Sequence, residues 1–147
     1  MMSRLTYLFI CISIICFSQE KNDIKGIWLE EEGQSKIEIF SLETDEGTMF
    51  GGRIIWLEEP LTEEGERKLD KENPDPELKN KPILGLLIMK KLKYKKYGYW
   101  SGGSIYDARS GKTYSLEISM DEKDVLKLRG YFGISLIGRT TTWTRVK

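Results

Sequence analysis

The side chains available for chemistry in this chain are mainly carboxylates, amines and hydroxyls, because its 147 residues include no histidine. Its two cysteines, Cys11 and Cys16, lie in an apolar N-terminal segment that we expect to be removed. The rest of the chain then offers no thiolate nucleophile and no imidazole base, which excludes histidine-based triads. Zinc, copper and haem sites rely on the same two residue types, so we predict no cofactor and no such metal.

Carboxylates are the remaining candidates for catalysis or for holding a hard cation. Asp75 and Asp107 would suit acid–base hydrolysis of glycosides only if they lie roughly 5–9.5 Å apart, which spacing in sequence does not reveal. Asp70, Asp75 and Glu77 offer oxygens to calcium, but their spacing departs from the EF-hand pattern and lacks its glycine. No Gly-x-Ser-x-Gly elbow or phosphate-binding loop is present, so we predict no metal site and no enzyme activity.

Aromatic side chains are abundant enough to line an apolar cavity with polar tips. The candidates for such a ligand site are Trp56, Tyr99, Trp100, Tyr106, Tyr114, Tyr131 and Trp143. If the strands predicted below close into a barrel of about eight strands, its interior has room for core side chains or for one small ligand. The same aromatics would therefore also serve to fill a solid core, and the sequence leaves both alternatives open.

Two polar segments are candidates for recognition at the surface. Asn73, Asp75, Lys79 and Lys81 belong either to a recognition loop or, as Asn and Asp before proline favour, to a structural turn. The segment Lys90–Tyr97 holds five lysines and two tyrosines, which suits peripheral contact with an anionic membrane. The alternative for this segment, which we favour, is a solvated hairpin whose lysines discourage edge-to-edge association.

The elements that position these side chains are predicted to be strands, because apolar and polar residues alternate with a period of two. In the segment 113–120, Tyr114, Leu116 and Ile118 share one face. Strands are expected near 26–31, 35–42, 48–57, 97–106, 112–120, 125–132 and 136–146. The apolar stretch 83–89 is either an eighth strand, which we favour, or a short buried helix, and 58–82 is a long charged loop with four prolines.

The first 18 residues have the plan of a cleavable signal peptide. Arg4 precedes an apolar run over 8–17, and Cys16 and Ser18 supply the small residues for cleavage. This run is shorter than the ~20 residues that span a bilayer, which disfavours an uncleaved anchor. We therefore expect a single domain over 19–147, exported to the periplasm or the outside of the cell. Loss of Arg4 leaves 22 basic against 23 acidic residues, a balance that does not suggest a nucleic-acid partner.

Four stretches of the exported part together resemble one bacterial family. They are Gly26-Ile-Trp28, the segment 73–86, the segment 100–114, and 128–131 with 138–145. The resemblance is to the exported family catalogued as domain of unknown function 2147. It implies an all-β fold, a small antiparallel up-and-down barrel of the lipocalin-like (calycin) type. It brings no established activity.

The resemblance also implies roles for individual residues. Gly26 and Trp28 would close one barrel end, with the guanidinium of Arg139 or Arg145 over the indole. The family's pattern has arginines where Lys79 and Lys81 stand here, so an anion at this loop would be held more weakly.

Three functions are weighed from these observations. We expect a monomeric exported protein that binds a small hydrophobic or amphipathic ligand, such as a lipid. The alternative is a filled barrel that contacts an envelope protein through the loop 58–82. The third is a carboxylate-based hydrolase acting through Asp75 and Asp107, for which the sequence offers little.

Overall fold

The structure is a computed structural model that describes residues 20–147, and it shows a closed barrel of eight antiparallel strands. The strands are β1 (Gly26–Leu29), β2 (Ser35–Thr44), β3 (Gly47–Leu57), β4 (Leu87–Lys96), β5 (Tyr99–Asp107), β6 (Lys112–Glu122), β7 (Val125–Tyr131) and β8 (Gly138–Arg145). Each strand pairs with the next along the chain, and β1 pairs with β8 to close the barrel. The predicted all-β up-and-down barrel is confirmed. The expected signal peptide over 1–18 lies outside the described residues.

Little of the described chain is helical. A single 3-10 turn over Glu20–Asn22 precedes β1. No helix among residues 20–147 is long and apolar enough to cross a membrane.

The eighth strand differs from its prediction. It is β4, which begins at Leu87, so most of the apolar stretch 83–89 belongs to the preceding loop. The segment Lys90–Lys96, which we expected in a hairpin, is one arm of the hairpin formed by β4 and β5, and the turn 97–98 joins the two arms. The physical reason is a turn before the strand, in which Gly85 has a φ of 90° and the Leu86 amide donates to the Ile83 carbonyl at 3.1 Å. Within β4, Lys91 has a φ of 57° and interrupts the alternation, so that Met89 and Leu92 are both buried.

Close packing of β4 against β5 depends on a glycine. A Cβ atom placed on Gly103 would lie 2.5 Å from the carbonyl oxygen of Lys90. The glycine therefore permits a close approach between the two backbones, where the barrel curls.

The barrel has two different ends. The short turns 45–46, 97–98 and 123–124 lie at one end with the 3-10 turn, and we call it the closed end. The connections 30–34, 58–86, 108–111 and 132–137 lie at the other, the open end. Large buried side chains fill the interior towards the closed end; they include Trp28, Phe50, Leu92, Trp100, Ile118 and Leu126.

One tryptophan and one arginine seal the closed end. The indole nitrogen of Trp28 donates a hydrogen bond to the Ile24 carbonyl at 2.9 Å, and the ring is fully buried. The guanidinium carbon of Arg145 lies 4.2 Å from the centre of that ring. Gly26 has a φ of 136°, and a Cβ there would come within 2.6 Å of Arg145 Nη1. Glycine at this position thus leaves the space through which the arginine reaches the indole.

The Arg145 guanidinium also connects the end of β8 with the segment just before β1. Its Nε donates to Asp124 Oδ1 at 2.7 Å, and Nη1 donates to the Lys25 carbonyl at 2.7 Å. Its Nη2 donates to the Asp23 carbonyl. This planar fork binds three acceptors at once while covering an aromatic face, which a lysine ammonium cannot reproduce. Arg139, the other arginine considered for this role, lies towards the open end.

We predict that Arg145→Lys lowers the free energy of unfolding by about 2 kcal/mol, because carbonyl and carboxylate acceptors lose their donors. Arg109→Lys is the matched control, since Arg109 makes an exposed ion pair with Glu32 at 2.8 Å and its exchange should cost under about 0.5 kcal/mol. Urea unfolding followed by tryptophan fluorescence measures both. If Arg145→Lys lowers the free energy of unfolding no more than Arg109→Lys does, Arg145 does not hold the closed end.

Candidate ligand-binding site

The part of the barrel near the open end is hollow. A cavity of about 530 Å³ opens there, within the range of roughly 300–1,000 Å³ found for small-molecule sites. Its apolar lining comes mainly from the strands and includes Ile37, Ile54, Ile88, Ile105, Leu116, Leu128 and Trp143. Strand register explains the arrangement, because Leu128 pairs with Thr141 and Leu116 with Gly130, all four facing inwards. Gly130 and Thr141 carry small side chains, which leaves room between the larger ones.

Charged side chains surround the mouth of this cavity. The carboxylates are Glu30, Glu31, Glu32, Glu58, Glu59 and Asp107, and the cations are Lys68, Arg109 and Arg139. Two of the cations are paired, Arg109 with Glu32 at 2.8 Å and Lys68 with Glu59 at 3.5 Å. Arg139 has no carboxylate within 4 Å among residues 20–147. The cavity is therefore apolar at depth and polar at its rim, which suits an amphipathic molecule with its apolar part inside.

The structure brings three of the seven predicted aromatic residues to the cavity. Trp143 is buried in its lining, Tyr114 is half-buried beside it, and Tyr106 lies at the rim. Tyr114 also contacts Phe132, with ring centres 4.5 Å apart.

The other four predicted aromatics do not line the cavity. Trp100 plugs the closed end, where its indole nitrogen donates to the Lys21 carbonyl at 3.2 Å. Trp56 lies on the outer face beneath the Lys36 ammonium, 4.7 Å from the ring centre. Tyr99 and Tyr131 are also on the outer face, where burial and then the neighbouring Glu117 raise the pKa of Tyr131. Period-two alternation places a residue inside or outside but does not say which end of the barrel it occupies.

A buried carboxylate organises the long loop 58–86. Asp70 is completely buried and accepts hydrogen bonds from the Tyr106 hydroxyl and from Asn73 Nδ2, both at 2.7 Å. Burial, followed by the hydrogen bond and charge of Asp70, raises the pKa of the Tyr106 phenol well above its ordinary value. The phenol is therefore held in its protonated form, as a donor to Asp70. This pair fastens the loop to β5 beside the mouth of the cavity.

The remaining residues of the predicted recognition loop serve its own turns. Asn73 is buried, and its side-chain oxygen accepts from the Asp75 amide at 2.9 Å. Asp75 in turn accepts from the Glu77 amide at 3.0 Å. Lys79 and Lys81 are exposed and do not line the cavity. Asn73 and Asp75 thus act as turn-forming residues, as Asn and Asp before proline often do.

The carboxylates considered for calcium or for catalysis have separate roles. Asp70 is enclosed by the loop, whereas Asp75 and Glu77 are exposed. Within residues 20–147, no group of three or more Asp, Glu, His or Cys side chains is placed to hold a metal ion. Asp107 lines the mouth of the cavity and accepts from the Arg109 amide and the Ser110 hydroxyl, while Asp75 lies outside the lining. Asp75 therefore does not share this cavity with Asp107.

The lysine-rich segment lies away from the mouth. Lys90–Lys96 is the part of β4 that runs towards the closed end. Tyr97, in the turn after it, is 75% exposed. Lys93 forms an ion pair with Glu46 at 3.1 Å, and Lys96 lies 5.8 Å from the ring centre of Tyr99. This segment does not guide a ligand to the cavity mouth, because the two lie on different parts of the barrel.

Comparisons with known proteins give the chain its family. A family model described as "Uncharacterized protein conserved in bacteria (DUF2147)" matches residues 26–145, which is nearly the whole barrel. The chain belongs to the DUF2147 family. No curated protein matches it.

Among solved structures, this DUF2147 chain resembles protein HP1028 from Helicobacter pylori, which is described as belonging to the lipocalin family. The two are 26% identical, with a TM-score of 0.69, over 84% of this chain and 82% of the other. This likeness agrees with the lipocalin-like barrel described above. The match to residues 26–145 begins at the Gly-x-Trp motif and ends at Arg145, the residues that seal the closed end.

Sequence reasoning missed two features of this DUF2147 site. The first is Asp70, considered only for calcium, whose burial follows from the folding of the loop over Tyr106. The second is the aliphatic lining, since the ligand site was predicted from aromatic residues alone and Leu116 was named only as part of one strand face. The inward position of Leu116 was visible in its alternation, whereas the empty space beside it depends on distant strands.

We predict that Tyr106→Phe loosens the loop 58–86, because a buried carboxylate loses one of its two side-chain donors. The expected cost is about 1–3 kcal/mol. Limited trypsin digestion, which cleaves after the exposed Lys79, should become several-fold faster. Tyr97→Phe is the matched control, since that residue is 75% exposed and should leave cleavage unchanged. Cleavage of Tyr106→Phe at the unmodified rate would mean that the hydrogen bond does not hold the loop.

Proposed function

We propose that this chain is an exported binding protein that holds one small hydrophobic or amphipathic molecule in its barrel. The observation that carries the proposal is the cavity of about 530 Å³, with an apolar interior and a charged rim. Likeness to a lipocalin-family protein supports a binding role. We propose that the protein acts by binding rather than by catalysis, and as a monomer.

The distribution of side chains along the barrel favours this function over that of a filled barrel. A barrel acting only through its loops would gain stability from interior side chains along its whole length, because empty apolar space is destabilising. Here the closed end is filled by large side chains such as Trp28 and Trp100, whereas small residues such as Gly130 and Thr141 face the cavity. A hollow region beside a solid one is what a ligand site requires.

Export is proposed from the sequence of the first 18 residues and from the composition of residues 19–147. The apolar run after Arg4 is a reason to place the barrel in the periplasm or outside the cell. Residues 19–147 include no cysteine, so this part of the chain would fold identically under oxidising or reducing conditions. A hydrophobic molecule is poorly soluble in the water of either compartment, so a binding protein would help to carry it there.

We predict that Thr141→Trp blocks the cavity and weakens binding of the neutral apolar dye N-phenyl-1-naphthylamine at least tenfold. Thr141 lines the cavity opposite Leu128, so an indole there would occupy the space of the ligand. The measurement is dye fluorescence during titration, together with energy transfer from tryptophan, since Trp143 lies in the cavity wall.

The matched control is Thr142→Trp, which adds the same side chain to the same strand on its outer face, opposite Lys127. We expect this variant to bind the dye as the parent chain does. Equal binding by all three proteins would place the dye elsewhere and would contradict the proposed site. Equal loss in both variants would point to damage to β8 rather than to occupation of the cavity.

A further inference from the structure

The connection between β7 and β8 presents an unusual set of exposed apolar side chains. Phe132, Ile134, Leu136 and Ile137 are 58%, 60%, 85% and 74% exposed. The segment from Tyr131 to Gly138 contains no charged residue. Single exposed apolar residues are ordinary on protein surfaces, but four within six residues need an explanation. We call residues 132–137 the apolar turn.

Part of the backbone of the apolar turn is hydrogen-bonded to neighbouring residues of the chain. Arg129 donates from Nε to the Ser135 carbonyl and from Nη2 to the Leu136 carbonyl at 3.1 Å. The Ile134 amide donates to the Phe132 carbonyl at 2.9 Å, and the Ile137 amide donates to the Ile134 carbonyl at 3.2 Å. These bonds reduce the number of backbone groups that must find a partner when the turn enters a bilayer, and the interfacial layer supplies water and headgroups to the others.

The one polar side chain of the apolar turn is also hydrogen-bonded to the barrel. Ser135, the only residue of the turn with a polar side chain, donates its hydroxyl to Glu117 at 2.7 Å. The arginine and the serine therefore hold the turn from the side of the barrel, while its large apolar side chains are exposed to the surroundings.

The position of the apolar turn connects it with the cavity. Gly130 and Arg139 come just before and just after the segment Tyr131–Gly138, and both line the cavity. Leu61 and Leu84, which are 49% and 48% exposed, belong to the loop 58–86 at the same end of the barrel. A surface that received the apolar turn would therefore lie close to the mouth of the cavity.

We propose that the apolar turn inserts into the interfacial layer of a phospholipid bilayer and so holds the open end of the barrel against the membrane. Arg139 borders the turn, lacks a carboxylate partner among residues 20–147, and would meet lipid phosphates there. The proposal stands on the exposure and hydrogen bonding of the turn and does not depend on which ligand occupies the cavity.

A bilayer fits this surface better than a protein partner does. A stable protein interface takes roughly 20–30 residues from each side, far more than the six of the apolar turn. A bilayer needs no complementary shape, and a few inserted apolar side chains give weak, reversible attachment comparable to that of one acyl chain. The glutamates at the rim, Glu30, Glu31 and Glu32, oppose a strongly anionic surface, so the proposed bilayer has mainly zwitterionic headgroups.

The mode of attachment differs from one driven by the lysine-rich segment. Attachment through Lys90–Lys96 would bring another part of the barrel to the membrane and would weaken steeply with added salt. Insertion of the apolar turn removes apolar surface from water, so it should withstand salt. The effect of salt on membrane attachment therefore distinguishes insertion of the apolar turn from attachment through the lysine-rich segment.

The test is flotation of the chain starting at Gln19, which contains all eight strands, with vesicles of phosphatidylethanolamine and phosphatidylcholine. We expect flotation at low and at high salt, and at least a tenfold loss in the double variant Leu136→Asp, Ile137→Asp. Leu42→Asp is the matched control, because Leu42 is 54% exposed on β2 towards the closed end and its exchange should not change flotation. Circular dichroism establishes that each variant is folded.

A second measurement uses the absence of cysteine from this shorter chain. An environment-sensitive nitrobenzoxadiazole dye on Leu136→Cys should shift to the blue on vesicles, while the same dye on Leu42→Cys should not. Flotation that is unchanged in the double variant, or that disappears in high salt, would overturn the proposal. So would a dimer in sedimentation experiments that Leu136→Asp dissociates, because the turn would then bind a second copy. The double variant should still bind N-phenyl-1-naphthylamine in solution, which keeps this test separate from that of the cavity.

Discussion

The contact between the Trp28 indole and the Arg145 guanidinium is the interaction on which the rest of the structure depends. The seam between β1 and β8 is short, with only Trp28–Arg145 and Leu29–Thr144 as paired positions. Arg145 strengthens this seam by donating to the Lys25 and Asp23 carbonyls, which lie just before β1. The same contact requires glycine at position 26, because any side chain there would occupy the space of the guanidinium. One arginine therefore both closes the barrel circumference and seals one end.

Because the closed end carries most of the large core side chains, the open end can contain the cavity. The large side chains that support the fold are concentrated towards the closed end, so the open end can tolerate a cavity at a cost in stability. The long loop 58–86 would be a liability at the mouth if it were loose, but the buried Asp70 fastens it to Tyr106. The apolar turn is fastened in the same manner by Arg129. The loop contributes Lys68 and Ile83 to the cavity lining, and the apolar turn lies next to the lining residues Gly130 and Arg139.

Local sequence was sufficient for the strands and much less so for the site. The alternation of Leu116 and Ile118 predicted β6 because a barrel strand has one wet face, and both residues are buried. Alternation could not place β4, because the stretch 83–89 is apolar throughout and its first part forms a turn at Gly85, which has a φ of 90°. It also could not separate Trp100, which fills the closed end, from Trp143, which lines the cavity. Their difference lies in position along the barrel axis, which is set by register with distant strands.

The most direct test of the cavity as a ligand site is native mass spectrometry of the protein purified gently from the envelope of its own host, followed by denaturing extraction. We expect a complex of one chain with one small hydrophobic or amphipathic molecule, which the extraction then releases. The mass of the chain itself should correspond to a start at Gln19 if the segment 1–18 is removed. A chain that shows only its own mass, with an extract no different from that of a mock purification, would contradict the claim that the barrel carries a ligand.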